Sequence, residues 1–113
     1  MIKIYHNPRC SKSRQTLGLL EDSGEEIEVI TYLTNPPTLE ELKDIVDKLG
    51  LPVTYLVRRN ESIFKEKFKN KDIEEEEWFQ ILVDNPILIE RPIIVKGGEA
   101  VIGRPPENVE KLL

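Results

Sequence analysis

The first thirty residues switch from one hydrophobic period to another and back, and that order constrains the fold more than any other feature of the chain. Ile2-Lys3-Ile4-Tyr5 alternates apolar and polar side chains on β-branched positions, as a strand with one buried face does. Asn7-Pro8 turns the chain. Leu17, Leu19 and Leu20 then supply an apolar stripe that stops at Ser23-Gly24, which predicts a helix over about 11–23. Ile27-Glu28-Val29-Ile30 reads as a second strand. A strand, one helix and a strand form the pattern of a right-handed βαβ unit, so the two strands should run parallel.

Cys10, the only cysteine, falls where the first strand gives way to the helix. A thiol there faces unpaired backbone N–H groups and the positive end of the helix dipole, both of which favour the thiolate and can cradle an oxyanion. Lys3, Arg9, Lys12 and Arg14 precede the first acidic residue, Glu21, so this end is locally positive although the chain carries net charge -5. A positive pocket inside an acidic protein suits a small anion. His6, Arg9 and the helix N-terminus are the available causes of a lowered thiol pKa. The competing reading of a lone cysteine is a small buried hydrophobe.

Beyond the βαβ unit, Thr38-Leu39-Glu40-Glu41 is a capping-box pattern opening a helix with Leu42, Ile45, Val46 and Leu49 on one face, and Gly50 closes it. Residues 51–57 are ambiguous and read as weakly helical. Short helices follow around Ile63–Phe68 and from Glu74 to about Val83, the latter with Trp78, Ile81 and Leu82 as simple core. Its Glu74-Glu75-Glu76-Glu77 run is a solvated first turn that complements the dipole, with no metal site. Pro86 to Glu90 leads into Arg91-Pro92-Ile93-Ile94-Val95, and Gly97-Gly98 joins this to Ala100-Val101-Ile102-Gly103 as an antiparallel hairpin. A terminal helix over about 106–113 completes the chain. The expected fold is mixed α/β, a βαβ half and a ββα half with a helical insert over about 38–85, in a single domain of 113 residues.

The composition, 39% hydrophobic and 33% charged, fits a soluble globular protein and not a disordered one. No apolar run approaches a membrane span, and Met1-Ile2-Lys3-Ile4-Tyr5 passes at once into polar residues, unlike a signal peptide. The expected location is the cytoplasm, whose reducing conditions keep a lone cysteine as a free thiol. The acidic balance argues against nucleic-acid binding through a basic face.

From end to end the chain resembles the arsenate reductases that couple to glutathione and glutaredoxin on a thioredoxin-like fold. The resemblance rests on His6-Asn7-Pro8-Arg9-Cys10-Ser11-Lys12-Ser13-Arg14, Tyr32-Leu33-Thr34-Asn35-Pro36-Pro37-Thr38, Val57-Arg58-Arg59-Asn60, Pro86 through Val95, and Gly103-Arg104-Pro105. It implies that Cys10 is the nucleophile toward arsenate, that Arg58, Arg91 and Arg104 hold the oxyanion, and that a cis peptide precedes Pro92. His6, Ser13, Arg14 and Pro92 would support them. Arg9 and Lys12 lie between and beside the shared loop positions, so the charge of this loop need not match that of other members. Arsenate, glutathione as co-substrate and glutaredoxin are the implied partners, with no bound cofactor.

The same fold resembles Spx-type regulators, which share the Arg-Pro-Ile-Ile segment and bind RNA polymerase instead of reducing a substrate. Many of those carry C-x-x-C, whereas Ser13 stands where the second thiol would be. A family member that keeps the fold and the cysteine but acts on glutathione adducts, or has lost arsenate turnover, is a further alternative. Arginine suits an oxyanion because its planar fork offers paired donors and keeps its charge. Arg59, beside Arg58, should point elsewhere, to solvent or an ion pair. His6 has a satisfied structural role as its alternative, and Ser13 has plain helix capping.

Overall fold

The computed structural model describes residues 1–113. They gather into two compact units, Met1–Asn35 with Arg91–Leu113, and Pro36–Glu90.

In the first unit the alternation at the N-terminus becomes β1 (Ile2–His6), with Ile2 and Ile4 fully buried and Lys3 between them exposed. Burying a side chain of that size stabilises by about 1.5–3 kcal/mol, which specifies the register of the strand. After α1 (Ser11–Asp22) comes β2 (Ile27–Thr31), which pairs with β1 in parallel from Ile2↔Ile27 to His6↔Thr31. On its other side β1 meets β3 (Ile93–Lys96) antiparallel, and β3 turns through Gly97 and Gly98 into antiparallel β4 (Glu99–Ile102). The sheet order is β2-β1-β3-β4. Gly97, at φ 61°, takes the left-handed conformation that the tight hairpin needs.

Two local expectations are corrected here. The buried face of α1 is Ser13, Thr16 and Leu20, with Leu17 and Leu19 only partly covered. Two hydroxyls can occupy that face because each finds a hydrogen-bond partner, as buried polar groups must. The C-terminal segment Pro106–Leu112 is a 3₁₀ helix and not an α-helix. Neither Pro105 nor Pro106 has an N–H to donate, and a segment this short depends on its packing: Val109 and Leu112 are buried against Ile2, Ile4, Leu20 and Ile94.

The second unit is helical. Its α2 (Leu39–Leu49) begins with the expected capping box, in which Glu41 N–H donates to the Thr38 hydroxyl and Thr38 N–H to the Glu41 carboxylate, both at 3.1 Å. Gly50 ends it at φ 68°. The ambiguous stretch becomes a 3₁₀ helix over Val53–Leu56, followed by α3 (Ser62–Lys67) and α4 (Glu75–Asp84). Trp78 stacks on Phe64 at 6.1 Å between ring centroids, and Phe68 tilts against it at 5.9 Å. A 3₁₀ turn over Pro86–Leu88 and a bridge between Val57 and Ile89 close the unit. The whole is the mixed α/β, thioredoxin-like fold that the sequence leads one to expect, and no helix is long and apolar enough to cross a membrane.

Candidate active site

β1 ends at His6, a turn closed by Cys10 N–H donating to the Asn7 carbonyl at 3.0 Å follows, and α1 starts at Ser11. Cys10 is the N-cap: its backbone is extended and its carbonyl accepts the first helical bond, from Arg14 N–H at 3.0 Å. The Sγ makes no capping bond of ordinary length, since sulfur is a large, weak acceptor. It is half-buried. Burial alone pushes the thiol up, yet the backbone N–H of Ser13, the charge of Arg91, the backbone N–H of Lys12 and the Arg104 side chain together outweigh it, and the thiol lies below its ordinary value.

Arg104 comes from the far end of the chain. One of its nitrogens, Nη1, donates toward Cys10 Sγ at 3.7 Å and to the Arg91 carbonyl at 3.2 Å. Arg91-Pro92 is a cis peptide, as the resemblance implied, and Arg104-Pro105 is cis as well, which the sequence reading did not foresee. Pro92 is buried, and its carbonyl accepts from Gly103 N–H at 2.9 Å, which ties the Arg91 segment to the one carrying Arg104.

The supporting residues divide. Ser13 is fully buried, its Oγ 2.7 Å from His6 Nδ1 and accepting Asn7 N–H at 3.0 Å. His6 is buried too, and burial followed by the nearby charge of Arg14 holds its pKa below the ordinary value. His6 and Arg9, expected to act on the thiol, are not the groups that shift it: His6 faces Ser13, while Arg9 is exposed. Arg14 donates to the Pro8 carbonyl at 2.9 Å and so braces the turn.

Arg58 belongs to the other unit, where it pairs with Glu61 at 2.8 Å and donates to the Ile87 carbonyl at 3.3 Å. Arg59 is exposed to solvent, as expected, and lies over the Phe64 ring, 5.5 Å from its centroid. Sequence reasoning missed Thr16, whereas Asn7 stands in the turn where the sequence placed it. The signal for Thr16 was its spacing from Ser13 and Leu20 on one helical face.

A half-buried thiol at a helix N-terminus, with the Arg104 guanidinium 3.7 Å away and the charge of Arg91 acting on it, can act as a nucleophile and hold an anion. Residues 5–112 match the ArsC family model. The chain belongs to the ArsC family. Among its relatives is an arsenate reductase of Neisseria meningitidis, 46% identical, with 99% of this chain and 97% of that protein covered. An uncharacterized protein of Escherichia coli, YfgD, is 47% identical over 99% of this chain and 96% of its own length. The solved structure of an arsenate reductase from Vibrio cholerae superposes with a TM-score of 0.94 at 45% identity, covering 99% of this chain and 97% of that one. These matches span both units of this family member and are not confined to the cysteine loop.

Proposed function

We propose that the chain reduces arsenate to arsenite, with Cys10 as the nucleophile and with glutathione and glutaredoxin supplying the electrons. One observation carries the chemistry: the Cys10 sulfur sits at helix N–H groups with the Arg104 guanidinium 3.7 Å away and the charge of Arg91 acting on it, so the site favours both a thiolate and a bound oxyanion. The choice of arsenate is supported by family membership and by the names of the relatives.

In this sequence of steps the Cys10 thiolate attacks arsenic(V), one oxygen leaves as water, and an S–As bond forms. The chain has no second cysteine, so the next thiol comes from outside. Glutathione displaces a further oxygen as water and forms a second S–As bond. A glutaredoxin thiolate then attacks the glutathione sulfur; that S–As bond breaks, its electron pair stays on arsenic, and a mixed disulfide carries away the oxidising equivalents. Water hydrolyses the remaining S–As bond, releasing arsenite and restoring the Cys10 thiol. Arg91 and Arg104 hold the oxyanion, and family resemblance gives Arg58 the same task. Dependence on glutathione fits a reducing cytoplasm.

The test is arsenite formation by the purified chain with glutathione, with and without glutaredoxin, alongside Cys10→Ser and a pull-down on RNA polymerase. Turnover that requires both thiol reagents and is lost in Cys10→Ser is expected, and arsenate or phosphate should slow alkylation of Cys10. Retention of near-wild-type turnover in Cys10→Ser would sink the reading. Polymerase binding without arsenite formation would replace it with a regulator.

A further inference from the structure

Thr16 is fully buried and takes no part in the chemistry just described. Its hydroxyl lies 2.8 Å from the Lys12 carbonyl and 3.4 Å from the Gly103 carbonyl. Opposite it, Gly103 is required by space: a Cβ there would stand 2.8 Å from Thr16 Oγ1, 2.8 Å from Pro92 Cγ and 3.1 Å from Ile94 Cδ1. Gly103 N–H also donates to the Pro92 carbonyl. One buried point therefore joins three pieces of chain: the start of α1, whose N–H groups face Cys10, the Arg91-Pro92 segment, and the residue that precedes Arg104.

We propose that Thr16 and Gly103 form a positioning junction that holds the Arg104 guanidinium at the Cys10 sulfur. Neither touches a reacting atom. Arg104 is an exposed, flexible side chain whose Nη1 reaches both the Arg91 carbonyl and Cys10 Sγ, and where its backbone begins decides whether both can be reached at once. A guanidinium displaced by about half an ångström loses much of that geometry, which is why supporting contacts matter as much as the contacting group. The inference rests on Cys10 as the reacting thiol and not on arsenate as its substrate.

The groups acting on that sulfur are the N–H groups of Lys12 and Ser13 on α1, Arg91 ahead of β3, and Arg104 beyond β4. Only Arg104 is bonded to Gly103 in the chain; the Arg91-Pro92 segment meets Gly103 through the Pro92 carbonyl, and α1 meets it through Thr16, so the Arg104→Ala background is what separates the guanidinium from these other two routes. The experiment is the pH profile of Cys10 alkylation by iodoacetamide in the wild type, Thr16→Val, Thr16→Ser, Gly103→Ala, Arg104→Ala and the double variant Thr16→Val with Arg104→Ala, with thermal unfolding of each. Thr16→Val and Gly103→Ala should raise the midpoint by about half a pH unit, or roughly threefold slower alkylation below it. Thr16→Ser, which keeps the hydroxyl, should restore the wild-type midpoint, and the Thr16→Val shift should vanish when Arg104 is already alanine.

A shift of the same size in the Arg104→Ala background would overturn the proposal. So would a fall in Tm with no change in profile, or a wild-type profile that Arg104→Ala leaves unmoved. If Thr16→Val fails to fold, the comparison of Gly103→Ala with and without Arg104→Ala carries the same decision. Alkylation needs no arsenate, so a failure of arsenate turnover and a failure of the junction remain separate results.

Discussion

His6 Nδ1 lies 2.7 Å from the Ser13 hydroxyl, and both side chains are buried. Ser13 already accepts the Asn7 N–H, so its O–H is available to a neutral imidazole; a protonated ring could only donate. The contact fastens the first turn of α1, with the N–H groups that serve Cys10, to the end of β1.

A pH dependence of stability follows. The folded-state pKa of His6 is lowered from its ordinary 6.5, by burial and then by Arg14, so the unfolded chain binds the proton more readily. The stability of the neutral ring is fully present above the unfolded value and is lost as pH falls through the folded one. Urea midpoints between pH values of about 7.5 and about 5 should therefore decline less steeply in His6→Asn than in the wild type. Identical slopes would mean that the ring titrates as it does when unfolded.

The arginines separate a held anion from a general positive field. Arg104 and Arg91 act on Cys10, whereas Arg59 lies over Phe64. Replacement by lysine keeps the charge but loses the planar fork. Arg91→Lys and Arg104→Lys, and Arg58→Lys on the strength of the family resemblance, should each lower kcat/KM for arsenate on the order of tenfold or more. Arg59→Lys should change it little. Equal small effects at all four positions would count against a forked grip on the anion.

The helical unit offers a test independent of the chemistry. Thr38 and Glu41 exchange two hydrogen bonds at the start of α2. Thr38→Ala should destabilise the protein by about 1 kcal/mol, and Thr38→Ser by much less, because serine keeps the accepting oxygen. Urea unfolding would check this, and equal losses for the two variants would assign the effect to the methyl group.

Local preference was enough for much of this molecule. Alternation at Ile2-Lys3-Ile4-Tyr5, the capping box at Thr38, the closing Gly50 and the Gly97-Gly98 turn each depend on forces that act within a few residues, and each element formed where its pattern lies. Cys10 at a helix N-terminus was legible for the same reason, since a strand period followed by a helix period places it there. What was not legible depends on contacts far apart in the chain. Arg104 meets a thiol 94 positions away because β3 and β4 return the chain beside β1 in one register. Ser13 turns inward on α1 against the pull of hydrophobicity because β1 supplies the partner for its hydroxyl, whereas Thr16 bonds the Lys12 carbonyl of its own helix at 2.8 Å and only then reaches Gly103, at 3.4 Å. A hydrophobic period counts apolar side chains, and it cannot register a buried hydroxyl whose partner is supplied only once the chain has folded.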